Sequence, residues 1–255
     1  MSKGIASRLV MTLATICSLL IFIWPLIISN SAAGNSNLAQ ASFIVIMPIL
    51  ILILLVEFGS GKLNSKSLAM LGLLMALNAM IRLLGAGLAG VETAFFVIIL
   101  GAYVFGVGFG FVLGAGSILA SALLGAGVGP WLPFQMMAAG LVGVGGGWLG
   151  SLQVAKAIER VTLSAYALVS SFVYGSLMTM WTWPFLAGLH SSLSFTPGAS
   201  IWLNLQRFLT YELLTGGLLW DLGRAATTVT LILLTGKPLL MTLRRAANKV
   251  EIIVT

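Results

Sequence analysis

A chain of 255 residues that is 59% hydrophobic and only 7% charged, with a mean hydropathy of +1.10, is not a soluble domain, where about a quarter of residues carry charge. Lipid is its solvent, and 30 glycines alongside long apolar runs point to packed helices rather than a barrel of alternating strands. The net charge of +7 comes from Lys and Arg scattered between hydrophobic segments, which argues against nucleic-acid binding, and the lone Cys17, inside an apolar run, excludes a disulfide framework or a cysteine metal cluster.

In chain order, apolar runs bounded by charged or turn-rich stretches predict eight spans, near residues 9–28, 42–57, 67–84, 92–105, 108–125, 134–152, 162–183 and 213–235. The small residues Ser31, Ala32 and Ala33 follow the first run, but that run is longer than a usual signal core, so a retained first helix is expected. The fourth span is short and is broken from the fifth only by the glycine-rich turn around Gly106, Gly108 and Gly110. The connection 184–212 begins at Pro184 and carries Pro197 and Gly198. Its second half, Ala199 to Tyr211, mixes Trp202, Leu205 and Phe208 with Asn204, Gln206 and Arg207, as an interfacial amphipathic helix does. Gly216 and Gly217 then allow a kink into the last span.

Basic residues near span ends favour the cytoplasm. With the N-terminus inside, Lys3, Arg8, Lys62, Lys66, Lys156, Arg160, Lys237, Arg244, Arg245 and Lys249 are cytoplasmic, Arg207 is external, and Arg82 and Arg224 lie within spans. The expected organisation is a two-helix transmembrane extension over 1–66, a six-helix core over 67–240 and a basic cytoplasmic tail over 241–255.

Charges inside the membrane carry the chemistry, because each costs about 3 kcal/mol at the centre of a helix and needs a partner or ligand. Arg82 lies near the outer end of the third span, Glu92 opens the fourth after the loop Gly85 to Gly90, and Asp221 and Arg224 sit three residues apart on one face of the last. Asp221 and Arg224 can also neutralise each other simply to lock the bundle, and Arg82 can reach the headgroups. Their common depth favours a polar pocket near the outer face. Gln135 and Trp220 adjoin that depth and join the candidate binding set, whereas Trp131, Trp181 and Trp183 fit an aromatic belt. His190, flanked by serines in the external loop, lacks companion ligands for a metal.

Ala69, Gly72, Ala76 and Ala79 form a small-residue stripe on the third span, and Gly106, Gly110 and Gly114 form a ridge at four-residue spacing. Both allow close helix approach, inside the bundle or towards a partner. Two nucleotide-like matches fail. Gly59, Gly61 and Lys62 lack the hydroxyl and first glycine of a phosphate loop, since Leu63 and Val56 stand there, and Gly145, Gly147 and Gly150 lie within a span with no preceding strand. No nucleophile elbow, paired-carboxylate site or metal cluster is present to suggest an enzyme, and no metal or cofactor is expected.

From residue 67 onward, the helix AMLGLLMALNAMIRLLG, the segment FGVGFGFVLGAGSILASALLGAGVGPWLPFQM and the final WDLGRAATTVTLILLTGKPLLMTLRRA resemble the substrate-binding S components of energy-coupling factor (ECF) transporters, prokaryotic vitamin importers. The resemblance implies an all-α integral membrane protein with a six-helix S-component-like core, here preceded by two extra transmembrane helices. It also implies a ligand near the outer face, a transmembrane coupling subunit with two cytoplasmic ATPases as partners, and release of cargo when the loaded component topples in the membrane. The family couples through an Ala-x-x-x-Ala pattern on the first core helix, matched here by Gly72 and Ala76, with glycine in the first place. The expectation is therefore a transport subunit without its own ATPase. Its small-molecule ligand is vitamin-like, a corrinoid such as cobalamin being one candidate, held near Arg82, Glu92, Gln135, Trp220, Asp221 and Arg224. Two rivals stand beside it: a stand-alone secondary carrier, whose charges relay protons, and a membrane enzyme on a lipid-linked substrate, with Glu92, His190 and Asp221 as acid and base.

Overall fold

The most apolar stretch of the chain becomes the centre of the molecule. Every residue of the helix Ala94–Phe105 is buried, so its 12 residues, about 18 Å at 1.5 Å per residue, need not match the thickness of a bilayer they do not touch. The computed structural model describes residues 65–85, 90–186, 193–215 and 217–250, together with 16, 20, 22–27 and 49–50. Cys17, His190, the Gly59–Lys62 motif, the loop 86–89 and most of the two N-terminal spans lie outside the described residues.

The protein is an all-α integral membrane protein. In chain order the helices are α1 (Ser65–Gly85), α2 (Ala94–Phe105), α3 (Val107–Ser121), α4 (Leu132–Ser151), α5 (Glu159–Leu186), α6 (Ile201–Leu214) and α7 (Gly217–Val250). Five of the described spans are long and apolar enough to cross a membrane: α1, α4, α5, α7 and Val107–Ala126, in which a π-helical turn, Ala122–Ala126, extends α3. Around α2, α1 packs on α3, α3 on α4, and α5 on α7, while α2 itself touches α1, α3, α4, α5 and α7. Of the glycines expected to break the chain between the fourth and fifth spans, only Gly106 does so, with φ 92°; Gly108 and Gly110 continue into α3. A side chain with a Cβ is strained at that angle, and the reversal it allows stacks Phe105 on Phe109 at 4.4 Å between ring centroids.

The glycine ridge on α3 packs inside the bundle. A Cβ on Gly143 would collide with the carbonyl of Gly110, and one on Gly114 with the backbone of Ala139 and Gly140. Gly147 lies against Gly106 and Val107, and Gly150 against Tyr103. This close backbone approach is the form of packing available where lipid removes the hydrophobic drive. The stripe on α1 divides. Ala69, Gly72 and Ala76 are exposed beside Leu73 and Leu77, but Ala79 is fully buried and does not share that open face.

The last helix departs most from expectation. It runs unbroken from Gly217 to Val250, so the tail expected from residue 241 is, through Val250, a continuation of α7. Arg244 explains why. Its Nη1 donates to Glu159 Oε2 at 3.2 Å and its Nη2 to Oε1, while its guanidinium lies 5.9 Å from the Tyr103 ring centroid. That fork ties the end of α7 to the start of α5, a fixed geometry of the kind arginine favours. Arg160 adds a bond to the Leu233 carbonyl at 3.1 Å.

At the opposite end, Trp181 and Trp183 are buried anchors and not belt residues. Trp181 packs on Phe134 at 4.0 Å, and Trp183 donates from Nε1 to the Leu193 carbonyl at 2.8 Å. The loop and α6 fold over them: Asn204 is bonded both ways to Thr196, at 3.0 and 3.1 Å, and Arg207 donates to the Ser194 carbonyl and Thr196 hydroxyl. A helical turn at Trp24–Ile27 packs against α5 and α6, and nearby Phe22 meets Phe134 edge-on at 5.6 Å.

Gly143→Val is expected to destabilise the bundle by about 1–3 kcal/mol or more through forced backbone separation. Gly72→Val, where an added Cβ meets nothing within 4 Å, is expected to be nearly neutral. Thermal unfolding of the two variants in detergent checks the contrast.

Candidate functional site

Every charge placed in the membrane by the sequence finds a partner at one end of the bundle. At the top of α1, Arg82 donates from Nη1 to the Ser121 hydroxyl of α3 at 2.8 Å, and its Nε lies 3.7 Å from Glu92 Oε2. The other carboxylate oxygen of Glu92 accepts the Ala94 amide at 3.1 Å, placing a negative charge over the first turn of α2, where unsatisfied amides favour it. Thr93 clamps the same junction by donating to the Ile81 carbonyl at 2.8 Å.

Across α2, Arg224 of α7 donates to Asp221 Oδ1 at 2.5 Å and to the Ser171 carbonyl of α5 at 3.2 Å. Its guanidinium lies 4.8 Å from the Tyr174 ring centroid and 5.7 Å from that of Phe95, so the cation is shared between a carboxylate and two aromatic faces. Gly175 makes room for the pair, since a Cβ there would fall on the Asp221 carboxylate. Tyr174 is buried, and its ring meets that of Phe95 edge-on at 4.8 Å between centroids, so the Arg224 cation sits against a pair of packed rings.

The structure thus gathers Arg82, Glu92, Asp221 and Arg224. It leaves the other two candidates aside. Trp220 is half-exposed, with only its backbone packed against Gly90, and Gln135, partly buried in the first turn of α4, makes no side-chain bond to the charges. A shallow open groove of about 560 Å³ lies at the far end, lined by Lys66, Ala69, Met70, Leu73 and Lys249, and is separate from the charges.

Several functional groups escape a reading by charge and span alone. Tyr174 and Ser121 are neutral residues inside apolar runs. Glu212 falls between the expected amphipathic helix and the last span, yet α6 buries it together with Asn204 and Phe208 on one face. The four-residue spacing of those three is the signal that marks it. Its carboxylate stands beside the Thr179 and Ser176 hydroxyls of α5, close enough for both to favour its charged form, yet neither oxygen attains hydrogen-bond geometry. Burial holds this carboxyl above the usual glutamate range, and Asp221 raises it further.

Below the ion pairs, towards the middle of the bundle, Asn78, Ser117 and Thr228 are fully buried with side-chain polar atoms unpartnered. Each lies one helical turn from a cluster residue, respectively Arg82, Ser121 and Arg224. Arg82 Nε, Arg224 Nε and Asp221 Oδ2 likewise lack a hydrogen-bond partner. Buried polar groups normally have partners, so this seam of donors and acceptors is what the arrangement can offer to a polar molecule.

Compared with known protein families, curated proteins and solved structures, the chain matches none.

Arg224→Met is expected to cost about 3–5 kcal/mol, because it strands Asp221 as an unpaired buried charge. The double variant Asp221→Asn with Arg224→Met is expected to recover part of that loss. Melting temperatures of the parent and both variants in one detergent measure the difference.

Proposed function

We propose that the protein is the substrate-capture subunit of an ATP-driven importer of the energy-coupling factor type, which takes a vitamin-like small molecule from outside the cell. The observation that carries this reading is the gathering of four intramembrane charges at one end of the bundle, bordered by buried polar atoms without protein partners. Donors and acceptors on α1, α3 and α7 lack protein partners and are groups that a polar ligand can engage. Guanidinium groups suit carboxylate or phosphate groups on such a ligand, and Tyr174 and Phe95 suit a flat ring.

The distribution of basic residues supports capture from outside. Lys66, Lys249, Arg244 and Arg160 belong to the bundle end remote from the cluster, and the positive-inside bias assigns that end to the cytoplasm. There the exposed Ala69, Gly72 and Ala76 provide a flat face for a transmembrane coupling subunit, with two ATPases beneath it supplying the energy. Two N-terminal helices in addition to the six-helix core complete the proposed organisation of a prokaryotic multi-pass membrane protein with both termini inside.

Mass spectrometry of the protein purified in mild detergent is expected to detect a retained small molecule. Arg82→Ala or Arg224→Ala, in variants that still fold, is expected to weaken its binding at least tenfold, about 1.4 kcal/mol. Binding of nothing from a broad vitamin panel, together with no co-purifying coupling subunit or ATPase, would refute the proposal. Uptake that proceeds without ATP would instead identify a secondary carrier.

A further inference from the structure

At the cluster end, among the described residues, three carboxylates, Glu92, Asp221 and Glu212, stand with three guanidinium groups, Arg82, Arg207 and Arg224. Glu92 is paired with Arg82 and Asp221 with Arg224, which leaves Glu212 as a third carboxylate with no ion pair among the described residues. Arg207, five residues earlier on the same helix, is engaged by Ser194 and Thr196 in the loop. Glu212 is only 7% exposed, and both of its oxygens lack hydrogen-bond partners. An ionised carboxylate so enclosed is strongly disfavoured without a counter-charge.

The surroundings are built as a niche. Ser176 and Thr179, three residues apart on α5, lie beside the carboxylate without forming a hydrogen bond to it. Gly217 opens the wall on the α7 side, where a Cβ would come within 2.7 Å of Glu212 Oε2. The charged groups acting on Glu212 are Asp221 and Arg224 of α7, while α5 contributes only neutral hydroxyls. Oxygen donors alone, without histidine or cysteine, suit a hard cation and not a transition metal.

We propose that Glu212, with the Ser176 and Thr179 hydroxyls, binds a monovalent alkali cation in the niche between α5, α6 and α7. Sodium is the probe, since the ion neutralises the unmatched carboxylate and its shell is completed by hydroxyl oxygens. Protons compete for the same carboxylate. Because burial raises the folded-state affinity of Glu212 for a proton, the folded form holds more protons than the unfolded one above the ordinary glutamate range. Without an alkali cation, stability therefore falls as pH rises through that window. Sodium should restore it, and more at pH 8 than at pH 5.

The experiment is thermal unfolding of the full chain in detergent, followed by tryptophan fluorescence, with sodium chloride exchanged for choline chloride at constant ionic strength. A rise of roughly 5 °C is expected at a hundredfold excess over the dissociation constant, growing with the logarithm of the sodium concentration, shrinking at pH 5 and vanishing in Glu212→Gln. Thr179→Ala is expected to raise at least threefold the sodium concentration that gives the same rise, and keeps the test decisive if Glu212→Gln fails to fold. Identical melting in sodium and choline at pH 8, or an undiminished sodium response in Glu212→Gln or Thr179→Ala, overturns the proposal. So does a pH dependence without any sodium response, which would mean that a proton alone fills the role. No vitamin, coupling subunit or ATP enters this measurement, so its outcome is independent of whether the protein captures an organic substrate.

Discussion

The guanidinium of Arg224 holds the charged end of the molecule together. One side chain reaches a carboxylate on its own helix, a carbonyl on α5 and the faces of two rings, one on α5 and one on α2. In water such contacts would each contribute little, but within a lipid-bounded bundle the alternative is an unsolvated charge, so the contacts become obligatory. The fit of α7 against α5 follows from them: Gly175 must stay bare for the carboxylate, and Tyr174 must present its ring to the cation. Arg82 performs the parallel task for α1, α2 and α3.

The glycines solve a different problem. Between α3 and α4 the backbones approach so closely that Gly110 and Gly143 leave no room for a methyl group. Dispersion and shape supply the attraction here, because burying apolar surface away from lipid gains little. Two kinds of joint therefore coexist: dry contact of backbone on backbone through α3 and α4, and charged contact through α1, α2, α5 and α7. The Arg–Glu fork of Arg244 with Glu159 repeats the charged kind at the far end and keeps α7 helical beyond the point where its hydrophobicity fades.

Much of this was legible in the sequence, for identifiable reasons. Hydropathy locates the spans because lipid imposes one strong constraint on every residue of a crossing helix. Arg82, Glu92, Asp221 and Arg224 stand out because a charge in an apolar run is conspicuous, and three-residue spacing placed the last two on one face. Depth alone could not separate Trp220, whose side chain faces outward, from Asp221 beside it, because direction around a helix depends on its neighbours. Nor could it show that Ala79 is covered while Ala76 is open. Glu212 was missed because a polar residue at a helix junction looks like a solvated one. Arg244 looked like part of a basic tail because its partner, Glu159, is 85 positions away in the chain.

The helix α6 turns a familiar rule inside out. Its inward face carries Asn204 and Glu212 around Phe208, while Ile201, Trp202, Leu209, Leu213 and Leu214 face outward. Such a helix is stable only where its outer side meets acyl chains, so the surrounding lipid is a wall of the niche as much as the protein is. The dielectric felt by Glu212 is then partly a property of the membrane: thinning the bilayer or replacing it with a loose micelle brings water to the back of α6 and lowers the cost of ionising that carboxylate. Bilayer composition thereby acts on this site without touching any of its residues.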